Sequence, residues 1–379
     1  MSESSRLHGL DVLRGFAMLL GVLLHGSIAY QAGIRFVEWI DDTVYHSYLF
    51  DWVYLTINSF RMQLFFALAG FFSHMVIQRK GMTYFARNRF QRIFLPLLLS
   101  YCIILPATLA PYLYYRYSQI DGDASEQLRQ SMTQFFTFQK QWGLMHLWFL
   151  YYLILFYVVA VGWRYVARFF RGSTFSFKTV RYPALVVIAL ILVTGGLVQF
   201  YVSMVPTIWT GLKPPIIQVA YFGFFFFSGW MLYQYNSVLT YLDQNFKALL
   251  LIGLSLSFLH VVVFNKWYPS GTSDDPSAMI FKFTFAAQTI TLSLGCIGLF
   301  NKWFGQPSKT GKYLSEAAYW VYLVHLPLVL FLQLVLLDSV VPDVLRFPVV
   351  VLLTTAVALL SYHYLVRNRW IGVLLNGRT

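Results

Sequence analysis

The chain has 379 residues, of which 58% are hydrophobic, 19% aromatic and only 11% charged. A soluble domain carries about 25% charged residues, so this deficit, repeated in long runs, excludes a soluble globular protein and points to a polytopic membrane protein. The formal net charge of +13 falls in short loops between apolar runs; no recognition motif accompanies it, and nucleic acid is not expected as a partner.

A spanning helix needs about 20 apolar residues. Ten such runs occur, at 10–32, 51–78, 93–115, 146–170, 183–204, 214–235, 246–265, 279–301, 313–337 and 343–367. The expected fold is all-α: one polytopic domain over 1–379 with about ten transmembrane helices in the lipid bilayer. Polar segments separate the runs, among them "IDGDASEQLRQ" (120–130), "YPSGTSDDPS" (268–277) and "GQPSKTGK" (305–312). The first run is expected to be retained rather than cleaved as a signal peptide, because charges at 11 and 14 break the usual basic-then-apolar order.

That first run, "LDVLRGFAMLLGVLLHGSIAYQ", holds Asp11, Arg14 and His25. Ionisable groups in hydrocarbon need a partner, a wet cavity or a task. Arg14 and His25 are eleven residues apart, which at about 100° per residue is three turns plus roughly 20°, so they share a face about 16 Å apart along the axis. Asp11, one turn before Arg14, can pair with it. The plainer alternative is that Asp11 and Arg14 snorkel to water while His25 bonds a carbonyl, but snorkelling does not require the shared face.

In the second run, "SFRMQLFFALAGFF" (59–72) places Arg61 and Gln63 where a lone arginine calls for a wet cavity, and packing is expected to bring both near His25. Gly70 suits either close helix packing or a functional role. "RNRFQRIFLP" (87–96) opens the third run with Arg89 and Arg92 one turn apart. Paired guanidiniums make multidentate contacts with phosphate; plain positive-inside charge is the alternative, and it explains Arg79, Lys80 and Arg87.

"MHLWFLYYL" (145–153) puts His146 and Trp148 at the start of the fourth run, and Trp148 also suits an interfacial belt. "EAAYWVYLVHLP" (316–327) puts Glu316 near one end and His325 in the middle of the ninth. His74, His260 and His363 are expected to be structural or interfacial. Cys102 and Cys296 lie in apolar runs with neither disulfide nor metal-ligand spacing, and no metal is expected.

Orientation follows from lysine and arginine asymmetry. Of 28 basic residues, 19 fall on the side of the N-terminus, including Arg79–Arg92, Arg164–Arg181, the 302–312 loop and Arg367, Arg369 and Arg378; eleven of fifteen acids fall on the other. Both termini are therefore expected in the cytoplasm.

"LDVLRGFAMLLGVLLH", "FFALAG", "RFQRI" with its following proline, and "YWVYLVHLPLV" resemble, in order, the motifs of the acyltransferase-3 membrane family. "FRMQLFFALAGFFS" and "HLWFL" look closest to its branch acting on osmoregulated periplasmic glucans. One position departs: Ala69 stands where the family often has serine, so no hydroxyl role is carried over to it. The resemblance implies a bacterial inner-membrane enzyme that moves an acyl group from cytoplasmic acyl-CoA, a donor substrate rather than a tightly bound cofactor, to hydroxyls of a periplasmic glucan. The glucan branch implies succinyl-CoA; "LRG" is nearer the general family and leaves acetyl-CoA open.

Such transfer needs a base, a stabilised oxyanion and an anchor for the CoA phosphates. His25 is the expected base, since free imidazole titrates near about 6.5. Arg14, steadied by Asp11, and Arg89 with Arg92 are expected at the donor's phosphates. Arg61 is expected at the oxyanion or at a succinyl carboxylate. Gln63, His146 and Trp148 are expected toward the acceptor, and His325 as a second base, relay or fixed partner. An acyl-histidine intermediate and direct transfer both stay open, as does association into a homodimer. A proton-coupled transporter of an anionic metabolite, an O-acetyltransferase for another envelope glycan, and a non-catalytic scaffold are the rivals; no inverted repeat or broken half-helix pair favours the transporter.

Overall fold

A computed structural model describes residues 3–34, 39–42, 45–118, 133, 143–166, 180–203, 205–267 and 276–377. The loop at 120–130, most of the loop at 268–277, and Arg168, Arg171, Lys178 and Arg378 lie outside the described residues. Among those described no strand forms, only an isolated bridge between Gln31 and Ser47. The helices are α1 (Glu3–Ser27), α2 (Tyr48–Lys80), α3 (Met82–Arg89), α4 (Leu95–Ser118), α5 (Trp148–Val166), α6 (Pro183–Gln199), α7 (Ile216–Leu232), α8 (Asn236–Trp267), α9 (Pro276–Trp303), α10 (Lys309–Leu337), α11 (Asp343–Ser361) and α12 (Trp370–Asn376).

Among the described residues, eight helical segments are long and apolar enough to cross a membrane. The runs expected at 183–204 and 214–235 form α6 and α7, of 17 residues each. At 1.5 Å per residue these reach about 25 Å, short of a hydrocarbon core of about 30 Å. Pro206, Pro214 and Pro215 lie between them, and a proline disfavours the helical conformation at the residue before it.

The chain from Met82 to Ser118 is one helical span interrupted by a π turn, and that turn has a local cause. Pro96 has no N–H to give the carbonyl of Arg92 four residues back, and its ring crowds that carbonyl. The backbone widens into a π turn over Phe90–Phe94, where the Leu95 N–H bonds Phe90 instead. A second π turn, Tyr362–Val366, links α11 to the chain's final turn.

α1 is the centre of the bundle, packed against α2, α9, α10 and α11. Leu10, Leu13 and Ala17 on it are fully buried. Hydrophobicity alone does not hold helices together in lipid; close packing by small residues does. The α2–α7 crossing illustrates this: a Cβ at Gly70 would fall on the Phe226 carbonyl oxygen, and one at Gly229 on that of Ala67. Gly70 is thus a packing glycine.

At the end of α1 near His25, the segment leading to α2 is tied down by polar groups. Asp51 accepts the N–H groups of Ala32, Gly33 and Ile34 at 3.2, 2.9 and 3.0 Å. Arg346 Nη1 pairs with Asp42 at 2.9 Å, both side chains buried, and Nη2 pairs with Asp343 at 2.8 Å.

Gly70→Ala should force α2 and α7 apart, because backbone rather than a side chain occupies the space. A loss of about 1–3 kcal/mol is expected, read as a lower melting temperature in nanodiscs. An unchanged melting temperature would mean the crossing is looser than described.

Candidate active site

A cavity of about 650 Å³ opens at the end of the bundle where α1 begins. Asp11, Arg14, Arg89, Arg92, Lys309 and Lys312 line its mouth, and Met18, Phe65, Phe149 and Tyr322 lie further in. His8 and Asn376 line it too, so both ends of the described chain meet at this mouth. The four residues expected to bind the donor are therefore together. Arg14 lies 3.3 Å from Asp11 and donates to Ser315 Oγ at 3.0 Å. Arg89 packs over the rings of Phe85 and Tyr157 at 5.2 and 5.3 Å, and its Nε is buried without a partner. Five cations against Asp11 and Glu316 leave the mouth positive, and a wall of low dielectric strengthens that field.

Beyond the cavity's inner end three histidines meet. The His25 and His325 rings are 5.3 Å apart and those of His325 and His146 5.6 Å. Arg61 reaches them from α2: a Cβ at Gly21 would meet Arg61 Nη1 directly and would stand 3.5 Å from His325 Nε2. Tyr322 joins cavity to cluster, lining the former while its ring lies 6.2 Å from that of His325. On the opposite side Trp39 stacks on His25, ring centres 5.8 Å apart and planes 13° apart. Its indole N–H donates to Gln333 Oε1 at 3.0 Å. The Gln333 amide in turn donates to the carbonyls of His25 and Gly26 at 3.4 and 3.1 Å, groups left open where α1 ends.

Proline chemistry orders His146. Pro327 has no N–H for the Leu323 carbonyl four residues earlier. His146 Nε2 donates to that carbonyl at 3.1 Å, and the Tyr322 hydroxyl donates to the His146 carbonyl at 2.6 Å. Met145, just before, holds φ at +43°, a left-handed conformation costing about 1–3 kcal/mol outside glycine. His325 Nδ1 donates to the Tyr322 carbonyl at 2.7 Å. A carbonyl only accepts, so each bonded nitrogen carries the proton. In the neutral rings that leaves lone pairs on His146 Nδ1 and His325 Nε2. Both atoms are buried without a partner, as are His25 Nδ1 and Arg61 Nε.

Two expected residues are elsewhere. Gln63 is about 200° around α2 from Arg61, and it donates to Tyr221 on α7 at 3.1 Å rather than meeting His25. Trp148 is buried against Phe222, Tyr152 and Phe66 at 5.1, 5.2 and 6.1 Å, an aromatic core position rather than a cavity wall. His74 bonds the Trp230 carbonyl at 2.9 Å, and His260 bonds Gln288 and Thr284. Both are structural, as expected. Gly21, Trp39, Tyr322 and Gln333 were not singled out from sequence. Gly21 carried a faint signal, one turn before His25 on the same face.

The family model for the acyltransferase domain matches residues 7–363. Glucans biosynthesis protein C of Escherichia coli O6:K15:H31 (strain 536 / UPEC) is 24% identical over 389 aligned residues, covering 99% of this chain and 95% of the relative. The protein of that name from Escherichia coli strain K12 is likewise 24% identical over the same coverage. No solved structure matches the chain. With the domain match running from the start of α1 to the last spanning helix, the chain belongs to the acyltransferase-3 family and is a multi-pass membrane acyltransferase.

Proposed function

We propose that this acyltransferase moves an acyl group, succinyl in our reading, from cytoplasmic acyl-CoA to hydroxyls of a periplasmic glucan, across a bundle of eight long helical segments and the two shorter helices α6 and α7 in the bacterial inner membrane, with both termini in the cytoplasm. One observation carries the reading. Four polar atoms without partners, His25 Nδ1, His146 Nδ1, His325 Nε2 and Arg61 Nε, converge beside a cavity whose mouth is cationic. Buried polar groups are nearly always bonded; a cluster that is not is suited to a reactant.

In the proposed reaction Arg14, Arg89 and Arg92 hold the CoA phosphates at the mouth, with Lys309 and Lys312 adding charge. The pantetheine arm follows the α1 stripe of Arg14, Met18 and His25, about 16 Å from first to last. His25 takes the glucan hydroxyl's proton as its oxygen bonds the thioester carbon. Arg61 stabilises the resulting oxyanion. Collapse breaks the carbon–sulfur bond, and the proton leaves on the CoA thiol. His325, its Nδ1 fixed by carbonyls, presents Nε2 to the same centre, and His146 backs it from α5's leading turn. Pairing of Arg61 with the free carboxylate of a succinyl group is the alternative to its oxyanion role, and it suits a guanidinium that forms no ion pair among the described residues.

His25→Ala should lower glucan substitution by about 10²–10⁴-fold at normal membrane levels. The check is mass spectrometry of periplasmic glucans from cells with and without the variant. A succinyl increment in the wild type supports the donor assignment, an acetyl increment replaces it, and retained substitution in the variant moves the base from His25.

Arg89→Gln combined with Arg92→Gln should raise the KM for acyl-CoA about tenfold or more, the worth of charge-assisted hydrogen bonds, with kcat less affected. An unchanged KM would reduce these arginines to topology charges.

Pro327→Ala supplies an N–H that competes for the Leu323 carbonyl and should free the His146 ring. Carbethoxylation of His146 should then be faster and acyl transfer slower. Equal labelling in both proteins would show that another contact holds the ring.

A further inference from the structure

We infer that Gly21 is a positioning residue: the missing side chain on α1 is the gap through which the Arg61 guanidinium reaches the reaction centre beside His325 Nε2. This rests on the role proposed for Arg61 and adds the element that puts it there.

The four described glycines of α1 face different neighbours. A Cβ at Gly9 would meet the Phe300 carbonyl, and one at Gly15 the backbone of Leu314 and Ser315 at 3.2 Å. One at Gly26 would meet the Val351 and Phe347 side chains at 3.2 and 3.6 Å. These are packing contacts, the ordinary use of glycine between membrane helices. At Gly21 the nearest atom is Arg61 Nη1, then Arg61 Cζ and His325 Nε2, both at 3.5 Å. No backbone atom is among the three nearest. The space is kept open for a functional group rather than for helix approach.

The register explains why this position matters. Gly21 is seven residues after Arg14 and four before His25, on the same face. Arg14 and Met18 line the cavity, so Gly21 is the next step of that stripe and His25 the last. Arg61 enters the stripe from α2 at this step. Its Nε is buried without a partner and His325 Nε2 is likewise open, so the guanidinium is fixed by shape rather than by a counter-ion. Removing the shape therefore displaces it.

A single methyl tests this. Alanine favours a helix over glycine, and the only clash is with the far end of a flexible side chain, so Gly21→Ala should reach the membrane at normal levels. In nanodiscs, with succinyl-CoA as donor and periplasmic glucan as acceptor, kcat should fall about 100-fold, the scale of losing one oxyanion donor. The KM for succinyl-CoA should hold, because the mouth is untouched. The decisive arm is a double-mutant cycle with Arg61→Met. With no guanidinium to displace, adding Gly21→Ala to Arg61→Met should cost little further.

Wild-type kcat in Gly21→Ala would overturn the inference. So would full additivity of the two losses, which would make Gly21 a packing residue independent of Arg61. Full activity in Arg61→Met would instead overturn the role proposed for Arg61, and the inference with it.

Discussion

A guanidinium set among three imidazoles, with no carboxylate paired to it among the described residues, is the constraint on which this architecture turns. A charge in a membrane interior is costly unless paired or placed against a wet cavity, and an ion left alone in low dielectric costs several kcal/mol. Arg61 is nevertheless held there. Gly21 leaves it room, Tyr322 and the histidines surround it, and the cavity from the basic mouth ends beside it. The fold carries this cost in tight packing elsewhere, notably the backbone-to-backbone crossing of α2 and α7.

The second dependence is on backbone atoms that regular helices would have used up. Leu323 offers a free carbonyl because Pro327 lacks an N–H, and His146 takes it. The carbonyls of His25 and Gly26 are open because α1 ends there, and Gln333 takes them while holding Trp39 against the His25 ring. His146 is thus oriented by a gap in a helix, and His25 is covered where a helix ends. Bonded to a carbonyl, the His146 and His325 rings each keep one nitrogen committed and the other available.

Much of this was legible in sequence because the helix imposes a period. Composition and run length specified an all-α membrane bundle, and the eleven-residue spacing placed Arg14 and His25 on one face. Arg89 and Arg92 share the cavity mouth as their spacing implied, although a π turn set by Pro96 intervenes. What escaped was tertiary. Gln63 lies near Arg61 in sequence but points to α7, since two residues along a helix are about 200° apart. Trp148 has the amphipathic ring of a belt residue, yet its neighbours Phe66, Tyr152 and Phe222 come from three helices, and only their packing shows it to be core. Trp39 sits in a connecting segment, where no period announces which side chain will turn back over a helix end.

The closed face of His25 bears on how a two-sided reaction would run. The cavity reaches the cluster from the mouth of the bundle at Tyr322, while Trp39 covers His25 from the opposite end. The segment carrying Trp39 is tied at one side by three N–H groups on Asp51 and at the other by the buried Asp42–Arg346 pair. Between those ties the indole is held by its hydrogen bond to Gln333, by stacking on His25 and by packing against apolar clusters that include Tyr30, Phe50, Ile40 and Leu326, so the far face of His25 is closed by the core itself.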